Sequence, residues 1–131
     1  MANEKTKTRV ALVADDDHAV RGIARRILER EGCRVLEAAD GEAALRLARE
    51  HPGPIHLLLT DVVMPGLTGP ELAERLVSIR PRIKVVYMSG SLVLEAAQAE
   101  FLKPGEDFIQ KPFSPDDLVR KARESFDEVG E

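Results

Sequence analysis

Short apolar runs alternate with helix-like segments along almost the whole chain. The apolar runs predict five strands, at Val10 to Ala14, around Val35-Leu36, at Ile55 to Thr60, at Ile83 to Met88 and at Asp107 to Gln110. Because consecutive parallel strands need right-handed crossovers, this alternation favours a parallel sheet with helices on both faces. We therefore predict an α/β fold, a flavodoxin-like doubly wound sheet of five parallel strands with five helices in three layers and strand order 2-1-3-4-5.

The segments between the strands have the apolar spacing of amphipathic helices. The residues expected to face the core are Val20, Ile23, Ile27 and Leu28 in the first helix and Leu72, Leu76 and Ile79 in the third. Within residues 92–105, Val93, Ala97 and Phe101 are spaced four apart and predict the fourth helix, which Lys103-Pro104-Gly105 ends. The last helix begins at Ser114, because a serine followed by proline and two acids is typical of an N-cap with proline in the first turn.

Polar residues follow the ends of several predicted strands. The acidic run Asp15-Asp16-Asp17 follows the first strand, and Asp61 follows the third. Ser89 follows the fourth strand and Lys111 the fifth. In an open parallel sheet, ligands bind beyond the carboxyl ends of the strands, near the switch in strand order. We therefore expect these side chains to form one site.

The residue types at this site indicate phosphoryl chemistry. Clustered carboxylates repel one another unless a cation lies among them, and Mg²⁺ prefers oxygen ligands of this kind. Lys111 supplies a positive charge and Ser89 a hydroxyl donor, which with the metal would neutralise the charge of a transferring phosphoryl group. Asp61 would be the nucleophile that forms an aspartyl phosphate.

Each piece of this pattern has a simpler explanation when it is taken alone. Asp16 or Asp17 alone is an ordinary helix N-cap. Lys111 before a proline is a solvated loop residue, and Ser89-Gly90 is a turn. All the pieces nevertheless occur in order at the ends of alternate elements, and this joint arrangement favours the functional interpretation.

Composition narrows the class of protein. A chain of 131 residues with 44% hydrophobic residues is typical of one globular domain, expected here over residues 9–128 after a flexible leader at residues 1–8. The net charge of -4 gives no basic face for nucleic acid, and no apolar run is long enough to cross a membrane. Cys33 is the only cysteine, so no internal disulfide can form. We expect a cytoplasmic protein with no direct nucleic-acid or membrane partner.

With these residues in this order, the chain resembles the receiver domains of bacterial two-component response regulators over residues 9–128. The resemblance implies that Asp61 is the phosphoacceptor, that Asp15 and Asp16 are the acidic pair, and that Lys111 is the lysine characteristic of the family. It also implies a cis peptide bond between Lys111 and Pro112, for which proline has an unusual tolerance.

The resemblance further implies a metal site and a conformational switch. Magnesium would be bound by Asp16, Asp61 and the carbonyl group of Val63, with Asp15 acting through a water molecule. Ser89 and Phe108 would be the switch residues. Because Phe108 stands where the family often has tyrosine, its rotation would be driven by packing without a phenol hydrogen bond.

Other positions bear on how such a domain would be used. The Pro-Gly ending of residues 92–105 and the sequence from Phe108 to Leu118 resemble receivers fused behind hybrid histidine kinases. In the family, Val63 and Ser91 would flank the path of the hydrolytic water. An apolar Val63 cannot orient that water and Ser91 is too short to reach it, so we expect a long-lived aspartyl phosphate.

The function implied by the resemblance is that of a phosphoacceptor domain in a two-component phosphorelay. It would take a phosphoryl group from a histidine kinase or a histidine phosphotransfer protein and act on a downstream protein target. It would not be an enzyme beyond its own phosphorylation and dephosphorylation. The signal would pass on through protein contact or through a longer parent chain, such as a hybrid histidine kinase.

Two alternatives belong to other functional classes. A haloacid-dehalogenase-like phosphatase also uses an aspartate nucleophile, Mg²⁺ and a lysine, and Asp15 to Asp17 contains its Asp-x-Asp spacing. Against it, His18-Ala19 stands where that family has threonine or valine, and the chain has little room for a cap domain. The second alternative is an interaction module that acts without phosphorylation, which missing acids or a missing lysine would favour.

Overall fold

The computed structural model describes residues 8–90 and 107–128. The strands are β1 (Val10–Ala14), β2 (Arg34–Ala38), β3 (Leu57–Asp61), β4 (Lys84–Ser89) and β5 (Asp107–Gln110). The helices are α1 (His18–Arg30), α2 (Gly41–Glu50), α3 (Gly69–Ile79) and α4 (Pro115–Glu128). The helix predicted in residues 92–105 lies outside the described residues, as does the predicted leader apart from Thr8.

The strands form one parallel sheet in the order β2-β1-β3-β4-β5. This order confirms the predicted doubly wound α/β fold. In the register of the sheet, Ala14 lies opposite Thr60, Asp61 opposite Met88, and Ser89 opposite Gln110. The carboxyl ends of four strands therefore reach the same edge.

Helices cover the sheet on both faces, because alternate residues of each strand point to opposite sides. One buried cluster packs under α2 and α3 and includes Leu12, Leu58, Leu72, Leu76 and Tyr87. The other packs under α1 and α4 and includes Val13, Leu59, Leu28, Leu118 and Phe126. Each fully buried leucine of this kind contributes roughly 1.5–3 kcal/mol relative to an exposed one. Aliphatic packing therefore holds the sheet edge rigidly in place.

Two apolar residues predicted to face the core are exposed instead. Ile23 of α1 and Ile79 of α3 each have 45% relative exposure. Ile23 lies about 100° around the helix from the buried Ala24, at the side of the stripe. Ile79 is the last residue of α3, nearly two turns beyond Leu72.

The helix beginnings agree with the sequence signals. The Asp17 side chain accepts hydrogen bonds from the backbone nitrogens of Ala19 and Val20, at 2.9 and 3.3 Å. The Ser114 hydroxyl accepts one from the backbone nitrogen of Asp117 at 3.1 Å, as predicted for an N-cap. Asp17 thus caps α1, which leaves the other two acids of its run for the site.

Arg80 joins the end of α3 to the segment that follows α2. Its guanidinium donates hydrogen bonds to the carbonyl oxygens of Ala48, His51 and Gly53, at 2.9, 2.9 and 2.7 Å. The contacts with Ala48 and His51 satisfy carbonyl groups at the carboxyl end of α2, and the contact with Gly53 holds the loop that follows. Among the described residues, no helix is both long and apolar enough to cross a membrane.

Candidate functional site

Lys111 lies between two carboxylates at the carboxyl edge of the sheet. Its Nζ is 2.9 Å from Oδ2 of Asp15 and 3.3 Å from Oδ2 of Asp61. Asp15 directly follows β1, Asp61 ends β3, and Lys111 follows β5. The peptide bond between Lys111 and Pro112 is cis, as the family resemblance implied. Residues from three strands thus meet at one point.

Asp16 completes a cluster of acids with these two. One carboxylate oxygen from each of Asp15, Asp16 and Asp61 lies within 4.8 Å of the other two. Asp15 is fully buried, Asp61 is half-buried, and Asp16 is exposed. A single lysine cannot neutralise three carboxylates, and all the donor atoms are oxygens. The residues therefore fit a hard divalent cation such as Mg²⁺.

The surroundings of Asp61 and Lys111 raise the pKa of both side chains. Burial raises the pKa of Asp61, and the charge of Asp15 raises it further, against the opposing effect of Lys111 and of a hydrogen bond from the Val63 backbone. Burial alone would lower the pKa of Lys111, but its hydrogen bonds and charge interactions with Asp15 and Asp61 raise it overall. The lysine therefore stays charged in a site that disfavours an unpaired carboxylate.

The backbone around Asp61 is held by close packing. The Thr60 hydroxyl donates a hydrogen bond to the carbonyl oxygen of Asp61 at 3.0 Å. The Gly69 nitrogen donates to the carbonyl oxygen of Val62 at 2.8 Å. A Cβ atom on Gly69 would collide with the carbonyl oxygen of Asp61 and lie 3.0 Å from the Val62 Cα. Only glycine lets α3 begin this close to the end of β3.

The other predicted site residues lie around this centre. Ser89 is buried at the end of β4, and its carbonyl oxygen accepts a hydrogen bond from the backbone nitrogen of Lys111 at 2.7 Å. Phe108 is half-buried, packs on the cluster under α2 and α3, and pairs in register with Tyr87 of β4. Tyr87 is only 2% exposed. Val63 has 39% exposure, and its backbone donates to Asp61. Ser91 lies outside the described residues.

The structure also reveals a residue that sequence reasoning missed. Arg21 of α1 donates a hydrogen bond from Nη1 to the carbonyl oxygen of Asp15 at 2.8 Å. Its position four residues after the N-cap Asp17 places it one helical turn above the acidic run. An arginine one turn into a helix that follows clustered acids is the signal that would have identified it.

Comparison with known proteins identifies relatives of this chain. Residues 11–123 match the family model described as the response regulator receiver domain. The chain is 33% identical to the response regulator GtcR of Aneurinibacillus migulanus, over 87% of this chain and 46% of that protein. It is also 33% identical to the response regulator receiver protein CpdR of Brucella abortus (strain 2308), over 84% of this chain and 90% of that protein.

A solved structure extends the likeness to three dimensions. The chain superposes on the receiver domain from the hybrid histidine kinase CckA with a TM-score of 0.74 and 35% identity, covering 89% of this chain and 98% of that one. The chain spans less than half of the length of GtcR. These matches give no support to the haloacid-dehalogenase-like alternative.

Proposed function

The chain belongs to the response regulator receiver domain family, a family of signalling domains, and from this premise we propose that Asp61 is its phosphoacceptor. The observation that carries the proposal is the contact of one lysine with two carboxylates, in which Lys111 Nζ lies 3.3 Å from Asp61 and 2.9 Å from Asp15. Of the three clustered acids, Asp61 alone combines partial exposure with a direct contact to the lysine. The Asp61 carboxylate is therefore accessible to a phosphoryl donor and already paired with the ammonium group of Lys111.

In the proposed reaction, an oxygen of the Asp61 carboxylate attacks the phosphorus atom of the donor. The new oxygen–phosphorus bond forms as the bond from phosphorus to the donor breaks, and the donor leaves with the electron pair. Lys111 is placed to donate to an oxygen of the transferred group after it gives up its contact with Asp61. Ser89, at the end of the neighbouring strand, supplies a second donor.

We infer that Mg²⁺ is bound by Asp16, Asp61 and the carbonyl group of Val63, and that Asp15 acts on it through a water molecule. Mg²⁺ would neutralise charge on the transferring group. The support is the cluster of oxygens within 4.8 Å and the exposure of Asp16, which lets it keep the metal partly hydrated. Asp15 is already bonded to Lys111 and to the Asp17 backbone nitrogen, at 2.9 and 2.8 Å, which favours an indirect role.

We propose that the phosphoryl donor is a histidine kinase or a histidine phosphotransfer protein and that the phosphorylated domain acts on a downstream protein target. The chain would catalyse only its own phosphorylation and dephosphorylation. The likeness to the CckA receiver supports a hybrid histidine kinase as one setting for such a domain. The cytoplasmic location expected from the sequence stays a prediction.

Phosphorylation with a small-molecule donor tests the assignment of Asp61. Incubation with acetyl phosphate and Mg²⁺ should add one phosphoryl group, mapped by mass spectrometry after reduction with borohydride. Asp61→Asn should remove the label, Asp16→Ala should reduce it strongly, and Asp17→Asn should retain it because Asp17 caps α1. Equal labelling of Asp61→Asn would exclude Asp61. A wild-type chain that takes up no phosphoryl group from any donor would favour an interaction module that acts without phosphorylation.

A further inference from the structure

The direction in which the Asp16 side chain leaves the backbone is set by the peptide groups on either side of this residue. Its side chain is exposed, so packing does not orient it. The carbonyl group before it, that of Asp15, accepts a hydrogen bond from Arg21 Nη1 at 2.8 Å. The amide group after it, that of Asp17, donates to Asp15 Oδ1 at 2.8 Å. Fixing both peptide planes fixes the Cα–Cβ direction of Asp16.

Arg21 is itself held by two further partners, Glu37 and His18. Its Nε lies 3.3 Å from Oε1 of Glu37 on β2, and its side chain is only 14% exposed. Nη2 lies 3.2 Å from Nδ1 of His18. Glu37 also binds Arg25, with Nη1 3.1 Å from Oε2. A planar guanidinium with donors on several sides is suited to contact a carbonyl group and a carboxylate at once.

We propose that Arg21 is a positioning residue for the metal site, acting through the Asp15 carbonyl to aim the Asp16 carboxylate at the ion. This inference rests on the proposed binding of Mg²⁺ by Asp16. Arg21 touches neither the ion nor the phosphoryl group. Its effect is to hold one ligand of the metal in the geometry that binding requires, as outer groups of metal sites commonly do.

The sign of the effect separates positioning from simple electrostatics. Arg21 is a cation near a site for a cation, so removing its charge should strengthen Mg²⁺ binding if charge alone matters. Removing a positioning residue should weaken it. The two accounts therefore predict opposite changes in the dissociation constant.

The experiment compares Mg²⁺ binding, followed by amide NMR titration, in several variants without any phosphoryl donor. Arg21→Met should raise the dissociation constant about ten-fold, the scale of outer-sphere effects in metal sites. Arg25→Met is the matched control, since it removes the same charge from the same partner, Glu37, without contact to the acidic run. The double variant Arg21→Met/Glu37→Gln keeps the net charge of the parent and should be weakened as much as Arg21→Met.

A second readout needs no metal. In the metal-free protein, the Asp17 amide of Arg21→Met should exchange its hydrogen faster than in the parent or in Arg25→Met, because the turn that protects it is no longer held. Should Arg21→Met fail to fold, Arg21→Lys keeps the charge but not the fork of donors, and it should show a smaller weakening of the same sign. Unchanged or tighter Mg²⁺ binding in the folded Arg21 variants, with unchanged amide exchange, would overturn the proposal.

Asp16→Asn separates this inference from the proposed function. If Asp16→Asn abolishes Mg²⁺ binding and Arg21→Met leaves it unaltered, Arg21 has no positioning role although the metal site is correct. If Asp16→Asn leaves Mg²⁺ binding unaltered, the metal assignment is wrong, and the proposal for Arg21 falls with it.

Discussion

At the scale of single residues, three carboxylates of one chemical type occupy three environments. Asp15 is fully buried and is bonded to Lys111 and the Asp17 amide. Asp61 is half-buried and lies against the same lysine, while Asp16 is exposed. These differences agree with the proposed roles. Asp15 would hold Lys111, Asp61 would react with the phosphoryl donor, and Asp16 would bind a partly hydrated Mg²⁺ ion. Identity of residue type therefore says less about the role of each acid than its burial and its partners do.

The exposed side chain of Val63 leads to a prediction about the lifetime of the phosphoryl group. Val63, two residues after Asp61, is 39% exposed, and its apolar side chain cannot hydrogen-bond to water. Val63→Asn should accelerate loss of the phosphoryl group on the order of ten-fold, because orienting a reactant is a large effect. Val77→Asn, at a valine with 40% exposure on α3, is the control and should decay like the parent. Identical decay in all three chains, measured by mass spectrometry, would contradict the prediction.

Cys33 gives a prediction about pH. Burial raises the pKa of this thiol from 9.0 to about 11, with Glu31 adding to the shift and Arg9 opposing it. Since the thiolate is the reactive form, iodoacetamide at pH 8 should alkylate the folded chain roughly a hundred-fold more slowly than the chain in urea. The proton binds more tightly in the folded state, so the stabilising contribution is complete below pH 9 and is lost as the pH rises towards 11. Equal alkylation rates in the two states would show that Cys33 is accessible.

At the scale of elements, two glycines in helices have opposite surroundings. Gly69 begins α3 against the backbone of Asp61, where a Cβ would collide with a carbonyl oxygen. Gly22 lies inside α1, and a Cβ there would meet no atom within 4 Å. One glycine is required by close approach, and the other only lowers the stability of its helix.

Alanine substitution should therefore change stability in opposite directions at these two positions. Gly69→Ala should lower the free energy of unfolding by about 1–3 kcal/mol, the usual cost of overpacking, and should slow phosphorylation of Asp61 by displacing its backbone. Gly22→Ala should raise that free energy by about 0.5–1 kcal/mol. Urea unfolding followed by circular dichroism measures both, and a shift of the same sign in the two variants would contradict the structural explanation.

Much of the fold and the site followed from sequence pattern alone. The strand order was predictable because short apolar runs and capped helices leave few connections. The juxtaposition of Asp15, Asp16, Asp61 and Lys111 was predictable because these residues follow or end strands of one parallel sheet, whereas their roles stay predictions. Ile79 was misassigned because it lies only about 20° around the helix from Leu72, so periodicity cannot show that the last turn is uncovered. The Arg21 contact was missed because hydrogen bonds to a backbone carbonyl leave no periodic signal, and only the place of the arginine one turn after the acidic run could have indicated it.

At the scale of the whole molecule, the proposed reaction centre lies next to the strands β4 and β5. The Ser89 carbonyl oxygen accepts a hydrogen bond from the backbone nitrogen of Lys111. Phe108 of β5 lies three residues before that lysine. A phosphoryl group that draws Lys111 and Ser89 towards it therefore acts on both strands at once. In the predicted switch, Phe108 would respond only by packing, because it carries no hydroxyl group.

We predict that phosphorylation changes amide exchange most in β4, β5 and residues 92–105. The expected physical reason is that Ser89 moves towards the phosphoryl group and Phe108 turns into the space that Ser89 leaves. Phosphorylation would thereby shift an equilibrium between two conformations. Hydrogen exchange before and after treatment with acetyl phosphate measures the change, and Asp61→Asn under the same treatment is the control. Changes confined to α1, with β4 and β5 unaltered, would contradict this model.

Tyr87 gives the chain an optical property of its own. The sequence contains one tyrosine and no tryptophan. This tyrosine is buried two residues before Ser89 and beside Phe108, so a change in either neighbour alters the surroundings of the sole strong fluorophore. The predicted rearrangement of Ser89 and Phe108 should thus be visible in real time through intrinsic emission, without attaching any dye to the protein.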